Sequence, residues 1–253
     1  MEPRAGWPNV HPPSLTADAG TEYSGPVIVT TLELSGRSIR LARPADPDRL
    51  LDDPVVIDWN RRDDYMPYWA YLWPAAFLLA DAVAREHWPP PAADSRALVA
   101  LEIGCGLGLA GLVALARGLH VQFTDYDRAP LEFVLRSAAE NGFDPTRFAV
   151  RRLDWRSLPD ERFSLILGAD VIYEARLVPL VANLLGTLLA PDGLGLIASP
   201  HRAAAHAFPA ALASAGLACR AEPATSRTES GRPITGTVYR VTRAEGCFAA
   251  GSD

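Results

Sequence analysis

The chain has 253 residues, 49% of them hydrophobic, enough for one generous core or two small ones. A formal charge of -6 argues against a nucleic-acid backbone as the main partner, because phosphate binding wants a basic face. All 24 basic residues are arginine, so no lysine side chain is present to be modified or to act as a base.

The N-terminus lacks the charged and apolar regions of a signal peptide. Cys105, Cys219 and Cys247 are odd in number and far apart, with no Cys/His spacing suited to zinc. A reducing cytoplasm and no metal are therefore expected.

Residues 1–25, rich in Pro, Gly, Ser and Thr, predict a mobile tail. "PVIVTTLELSGRSIRLARP" alternates on both sides of Ser35-Gly36 and predicts a β-hairpin. Residues 44–64 read as a polar, proline-broken connection. "YMPYWAYLWPAAFLLADAVAREHW" begins aromatic and turns helical, with Pro74 in the first turn. "PPPAADS" reads as a linker.

From Arg96 the pattern becomes a regular alternation. Strands are expected at "ALVALEI", "HVQFTD", "FAVRRLD", "FSLILGAD" and "LGLIAS". Helices are expected at "GLAGLVALARG", 127–141, 174–189 (closed by "PDG") and 203–215. The apolar run from Leu98 to Ala116 nears the length of a membrane span, but Glu102 and four glycines interrupt it, so it reads as strand, turn and helix. "LACRAE" and "ITGTVYRVTR" then follow without a helix between them, which predicts an antiparallel insertion at the sheet's edge. The expected fold is α/β: a doubly wound, mainly parallel, seven-stranded Rossmann-like sheet with an antiparallel edge strand and an N-terminal β-hairpin extension. The expected organisation is a tail (1–25), a hairpin and aromatic helix packing on the core (26–95), the core itself (96–243) and a C-terminal tail (244–253).

In such sheets ligands bind beyond the carboxyl ends of the strands, and the candidate residues cluster there. Gly104, Gly106 and Gly108 form the turn after the first core strand, where glycine permits left-handed dihedrals and close backbone approach. The spacing departs from G-x-G-x-x-G, because Leu109 stands where a dinucleotide fingerprint has its third glycine. Asp125 ends the next strand, 23 residues after Glu102, where a carboxylate can accept both hydroxyls of a ribose or cap a helix. Asp154 and Trp155 follow the third strand, suited to an adenine amino group and ring or to a core position.

"LEIGCGLG", "TDYD", "LDW" and "GADVIYE", in that order, resemble the seven-strand S-adenosylmethionine-dependent methyltransferases. With "YWAYLWPAAFLLADAV" before the first strand and D-x-x-Y after the fourth, residues 65–200 are similar to the family 16 protein methyltransferases, which include many lysine methyltransferases. The aromatic segment is most like the branch acting on the electron-transfer flavoprotein β subunit. It carries "WPAAF" where that branch has a "WPGGQ"-like stretch, and "ASPHR" differs from the usual continuation.

The resemblance implies S-adenosyl-L-methionine as cofactor. Glu102, Gly104 and Gly106 would hold its methionine end, Asp125 its ribose, Asp154 and Trp155 its adenine, and Trp73 would wall it. Asp170 and Tyr173 would be catalytic, placed by their spacing on one side of a helical turn leaving the strand. Tyr68, Trp69 and Tyr71 read as core aromatics or an entrance lining, and His201 and Arg202 as a solvated loop or substrate contacts. The implied partner is a protein substrate, met by a cytoplasmic monomer without nucleic acid or membrane. A small-molecule amine N-methyltransferase, an inactive cofactor-binding homologue and a nicotinamide dehydrogenase are the alternatives.

Overall fold

The computed structural model describes residues 23–88 and 98–244, apart from the side chain of Asp63. Most of both expected tails and the "PPPAADS" linker lie outside the described residues.

The predicted hairpin forms from β1 (Val27–Leu34) and β2 (Arg37–Pro44), fully paired in antiparallel register. Ser35 (φ 45°) and Gly36 (φ 77°) make the two-residue turn, the left-handed pair that suits strand twist in a tight hairpin. The hairpin docks on the core through backbone bonds: Ala42 N donates to the buried Ser137 Oγ at 2.9 Å, and Arg40 N to Asn141 Oδ1 at 2.9 Å.

The stretch expected to be an irregular connection contains a 3-10 turn and the helix α1 (Pro54–Asp63). Asp53 caps α1 by accepting from Val55 N, and Pro54 occupies its first turn. The prolines that read as breakers therefore start helical segments. Helix α2 (Pro74–Arg85) begins at its predicted proline and buries Phe77, Leu78, Leu79 and Val83.

The main sheet runs through β3 (Val99–Glu102), β4 (His120–Asp125), β5 (Phe148–Arg152), β6 (Phe163–Ala169), β7 (Leu189–Ser199), β8 (Leu217–Arg227) and β9 (Pro233–Arg243). Helices α3 (Leu109–Ala116), α4 (Ala129–Glu140), α5 (Leu177–Leu188) and α6 (Phe208–Ser214) connect them. Strand order is β5-β4-β3-β6-β7-β9-β8, with the first five parallel. Antiparallel β9 inserts between β7 and the edge strand β8.

Alternation along each strand splits the core into two layers. Ala100, Leu165, Leu167 and Leu196 pack with α2, α3, α4 and the hairpin. Their neighbours Leu101, Ile166 and Ile197 face α5 and α6. Both sides of the central strands are thus fully covered, which is what the near-continuous apolar runs require.

Two departures from the expected boundaries change the local architecture. The "PDG" residues do not close α5 as a free turn. The helix passes straight into β7 at Leu189, and a register shift between Phe163 and Leu165 on β6 absorbs the extra residues. The helix expected over 203–215 is a 3-10 turn (Ala203–Ala207) followed by α6, because Pro209 suits only the start of an α-helix. Among the described residues no helix is long and apolar enough to cross a membrane.

The chain enters the parallel sheet at its centre, builds outward through β4 and β5, then returns to β6 on the other side of β3. Strand order reverses between β3 and β6, so their carboxyl ends flank a crevice at the topological switch point.

Candidate active site

A cavity of about 630 Å³ opens at this switch point. Every one of the nine residues expected from sequence to form a site lines it, together with Tyr65, Tyr68, Trp69, Tyr71, Asp127 and Arg202. The volume lies within the usual range for small-molecule sites.

The floor is the turn from β3 into α3. Gly104 (φ 54°) and Gly106 (φ 50°) take left-handed backbone conformations. A Cβ on Gly104 would come within 3.1 Å of the Trp155 ring and 3.2 Å of Val171, so glycine lets that indole close over the loop. Glu102, 2% exposed, sends its side chain beneath this turn, where Oε2 accepts from Gly111 N at 3.1 Å. It thus meets a backbone donor in the first turn of α3, whose N-cap, Gly108, has no side chain to offer. Burial raises the Glu102 carboxyl to about 8, against the Gly111 bond, which lowers it.

Asp125 closes β4. Its Oδ2 accepts from Gly106 N at 2.9 Å and its Oδ1 from Asp127 N at 3.1 Å, which fixes the carboxylate against the glycine turn. Burial and the neighbouring Asp127 raise it to about 7. Asp127, also raised by burial, accepts from Tyr65 Oη at 2.6 Å. Tyr65 belongs to the segment entering the aromatic stretch, so this bond ties that segment to the end of β4. The sequence marks Asp127 only as the last residue of "TDYD", with no signal of this bond.

Beyond β5, Asp154 and Trp155 both line the cavity. Asp154 Oδ1 accepts from Arg156 N at 2.9 Å, and its carboxylate pairs with the Arg156 guanidinium at 2.7 Å, which holds it below the usual carboxylate range.

The opposite wall is aromatic. Tyr68 meets Trp73 edge-on at 5.7 Å between ring centroids, and Tyr173 edge-on at 5.6 Å. Trp73 Nε1 donates to the Tyr68 carbonyl at 2.8 Å, fixing the indole plane. Burial pushes the Tyr173 hydroxyl up to about 12, so it stays a neutral phenol.

Asp170 and Tyr173 share this wall, but not through a helical turn. Asp170 is left-handed (φ 56°), and α5 begins only at Leu177. The left-handed step ends β6 abruptly, and Asp170 N donates to the Ala198 carbonyl of β7 at 2.9 Å. The carboxylate, 8% exposed, forms a forked pair with Arg202: Nε to Oδ1 at 3.0 Å and Nη2 to Oδ2 at 2.6 Å. Arg202 also lies 5.6 Å over the Trp73 ring. His201 is not part of the lining, so of the "HR" dipeptide only the arginine faces the cavity.

Set side by side, these features define two ends. One has a glycine turn, a carboxylate able to accept a diol at a strand end, and an indole against the loop. The other has aromatic rings and a paired carboxylate. The profile of the lysine methyltransferase family matches residues 67–209. The chain belongs to the lysine methyltransferase family. Its match takes in both ends of the cavity except Asp64, Tyr65 and Met66, which precede it.

Among curated relatives, protein N-lysine methyltransferase METTL21A of Mus musculus is 37% identical over 111 residues, covering 41% of this chain and 48% of the mouse protein. EEF1A lysine methyltransferase 3 of Mus musculus is 31% identical over 137 residues, covering 53% and 56%. Histidine protein methyltransferase 1 homolog of Dictyostelium discoideum is 33% identical over 104 residues, covering 39% and 34%. The chain thus spans about half the length of the first two relatives. A candidate RNA methyltransferase from Pyrococcus horikoshii shares the fold, with a TM-score of 0.51 at 13% identity, covering 68% of this chain and 83% of that one.

The cofactor of this lysine methyltransferase family member is S-adenosylmethionine, and the residues present fit it. A buried diol acceptor, a left-handed glycine turn that a Cβ would block and an adjacent indole are the groups an adenosyl amino acid needs.

Proposed function

We propose that this lysine methyltransferase family member transfers a methyl group from S-adenosylmethionine to a lysine ε-amine of a protein substrate. The observation that carries this reading is that the Asp170 carboxylate lines one cavity with Tyr173, Tyr68 and Trp73, just past β6 and across β3 from Asp125.

When bound, the cofactor supplies an electrophilic methyl carbon on its sulfonium sulfur. Asp125 would accept the ribose hydroxyls, the Gly104–Gly106 backbone and Glu102 would receive the methionine end, and Trp155 and Asp154 would frame the adenine. The rings of Tyr68, Trp73 and Tyr173, packed edge-on, form an apolar wall along which a long aliphatic side chain ending in nitrogen can lie. A lysine amine near its ordinary pKa of about 10.4 must lose a proton before it can attack. Asp170 can accept a hydrogen from the incoming nitrogen and hand the proton on to water, because Arg202 occupies only one lone pair on each of its oxygens. Tyr173, held neutral, offers a ring face to the nitrogen and no competing charge.

The acidic chain works in the cytoplasm as a monomer, on a protein, without nucleic acid or membrane as partner. The electron-transfer flavoprotein β subunit is the first substrate to try, on the strength of the aromatic segment's resemblance. The test is incubation of an extract from the source cells with labelled cofactor and the purified chain, then acid hydrolysis of the labelled band. Label recovered as methyl-lysine is the expected result. Because the chain has no lysine, such label must come from a partner. Label confined to small molecules or to another amino acid would overturn the reading.

A further inference from the structure

Asp170 is charge-paired before any substrate arrives. Arg202 reaches it from the loop after β7 with both hydrogen bonds of a planar fork, a geometry lysine cannot reproduce. The fold is bent to make this pair. Two residues that are not glycine, Asp170 (φ 56°) and His201 (φ 57°), are held left-handed on either side of it.

The other charged and titratable groups around this end of the cavity come from three elements. From the loop after β6, Glu174 accepts from Arg176 Nε at 2.6 Å, so those two cancel each other. Tyr173 from the same loop is a neutral phenol, and Tyr68 from the aromatic segment faces it. Asp64, at the end of α1, acts on Arg176. Glu174, Arg176 and the exposed Asp64 thus leave one negative charge among themselves, while the charge on the Asp170 carboxylate itself is balanced by Arg202.

This matters for nucleophilic attack. A buried carboxylate without a partner favours the protonated form of any amine beside it, which is the form that cannot attack. A guanidinium on the same carboxylate removes that bias. We infer that Arg202 is a positioning residue that cancels the charge of Asp170, so that the site does not hold its acceptor nitrogen as a cation and lets it give up the proton that blocks attack. The inference rests on the proposed use of Asp170 as the acceptor-facing group. It deepens that reading by naming the charge state of the acceptor that the site selects.

The test uses two probes of nearly equal shape, n-butylammonium and n-butanol, titrated by calorimetry into the full chain saturated with S-adenosylhomocysteine. Wild type is expected to bind the two within about threefold of each other, since Arg202 already cancels the Asp170 charge. Arg202→Gln is expected to bind n-butylammonium about tenfold tighter or more, as a carboxylate freed for a charge-assisted bond would, with n-butanol unchanged. Arg202→Lys, which keeps the charge, is expected to retain the wild-type pattern.

An unchanged n-butylammonium affinity in Arg202→Gln would overturn the inference. So would an equal gain for n-butanol, since Arg202 would then be a plug rather than a counter-charge. If Arg202→Gln does not fold, Asp170→Asn decides. With only the Arg202 charge left, n-butylammonium should fall about tenfold below n-butanol, and equal affinities would refute the idea. These titrations need no acceptor protein. A failure of the lysine-labelling experiment would therefore strike the proposed function and leave this result to stand or fall separately.

Discussion

Glu102 Oε2 accepts a 3.1 Å hydrogen bond from the backbone N–H of Gly111, so the strand β3 supplies the cap for the helix that follows it. The contact leaves no room at residue 111. A Cβ there would lie 2.4 Å from Glu102 Oε2 and 2.3 Å from the Phe123 ring. Gly111→Ala, although favourable for an isolated helix, is expected to cost about 2 kcal/mol through overpacking. The melting temperature should fall by roughly 4–8 °C, a drop that differential scanning calorimetry would read. A stabilised variant would mean that the cap and the ring both yield easily.

Cofactor affinity should depend on pH through Asp125. A ribose diol donates hydrogens, so it binds the ionised carboxylate, and burial has raised this group to about 7. Between pH 6 and pH 8 the affinity for S-adenosylhomocysteine should rise roughly tenfold as the free protein gives up that proton. In Asp125→Asn the rise should vanish, and binding at pH 8 should weaken by about 10- to 100-fold, as expected for lost bonds to a charged acceptor. Isothermal titration at several pH values measures both. A flat wild-type profile would remove Asp125 from the ribose.

The same burial sets the pH dependence of the cofactor-free fold. Glu102 and Asp125 are raised to about 8 and about 7, well above unfolded carboxyls near 4. The native state therefore keeps protons that the unfolded chain has lost. The stability these groups contribute is fully present below about pH 4 and fades as pH climbs through 7 and 8. The melting temperature without cofactor should be higher at pH 6 than at pH 8.5, and Asp125→Asn should flatten that slope.

Asp170→Asn should separate binding from transfer. It keeps the size of the side chain but removes the charge that faces the acceptor. Methyl transfer is expected to fall by about 100-fold or more, the range for loss of a general acid–base group. Affinity for S-adenosylhomocysteine, read by titration, should be preserved. Full turnover in this variant would leave Asp170 without a part in the chemistry.

Much of this arrangement was legible in the chain itself, and the reasons are local. Glu102, Asp125 and Asp154 each stand at or just past a strand end, where period-two alternation stops, and parallel strands bring such ends to one edge. The glycine turn was legible because only glycine suits its dihedrals. What escaped was set by tertiary contact. The left-handed turn at Asp170 cannot be read from an aspartate after a strand, and the pairing with Arg202 joins residues 32 apart through two loops. Helix α1 was obscured by prolines that break a helix in its middle but begin one at its end. The join of α5 to β7 hid behind "PDG", a strong turn signal that neighbouring β6 overrides by pairing with Leu189.

The cavity has two owners. Asp125, Gly104 and Gly106 hang from the parallel strands β3 and β4, rigid and buried on both faces, while Trp73, Tyr68 and Arg202 come from a segment before the sheet and a loop beyond β7. Descendants of this chain could therefore change diet without relearning how to hold their fuel: rewriting Tyr68 or the loop carrying Arg202 would redraw which side chain is welcomed and leave the proposed adenosyl grip of β3 and β4 untouched.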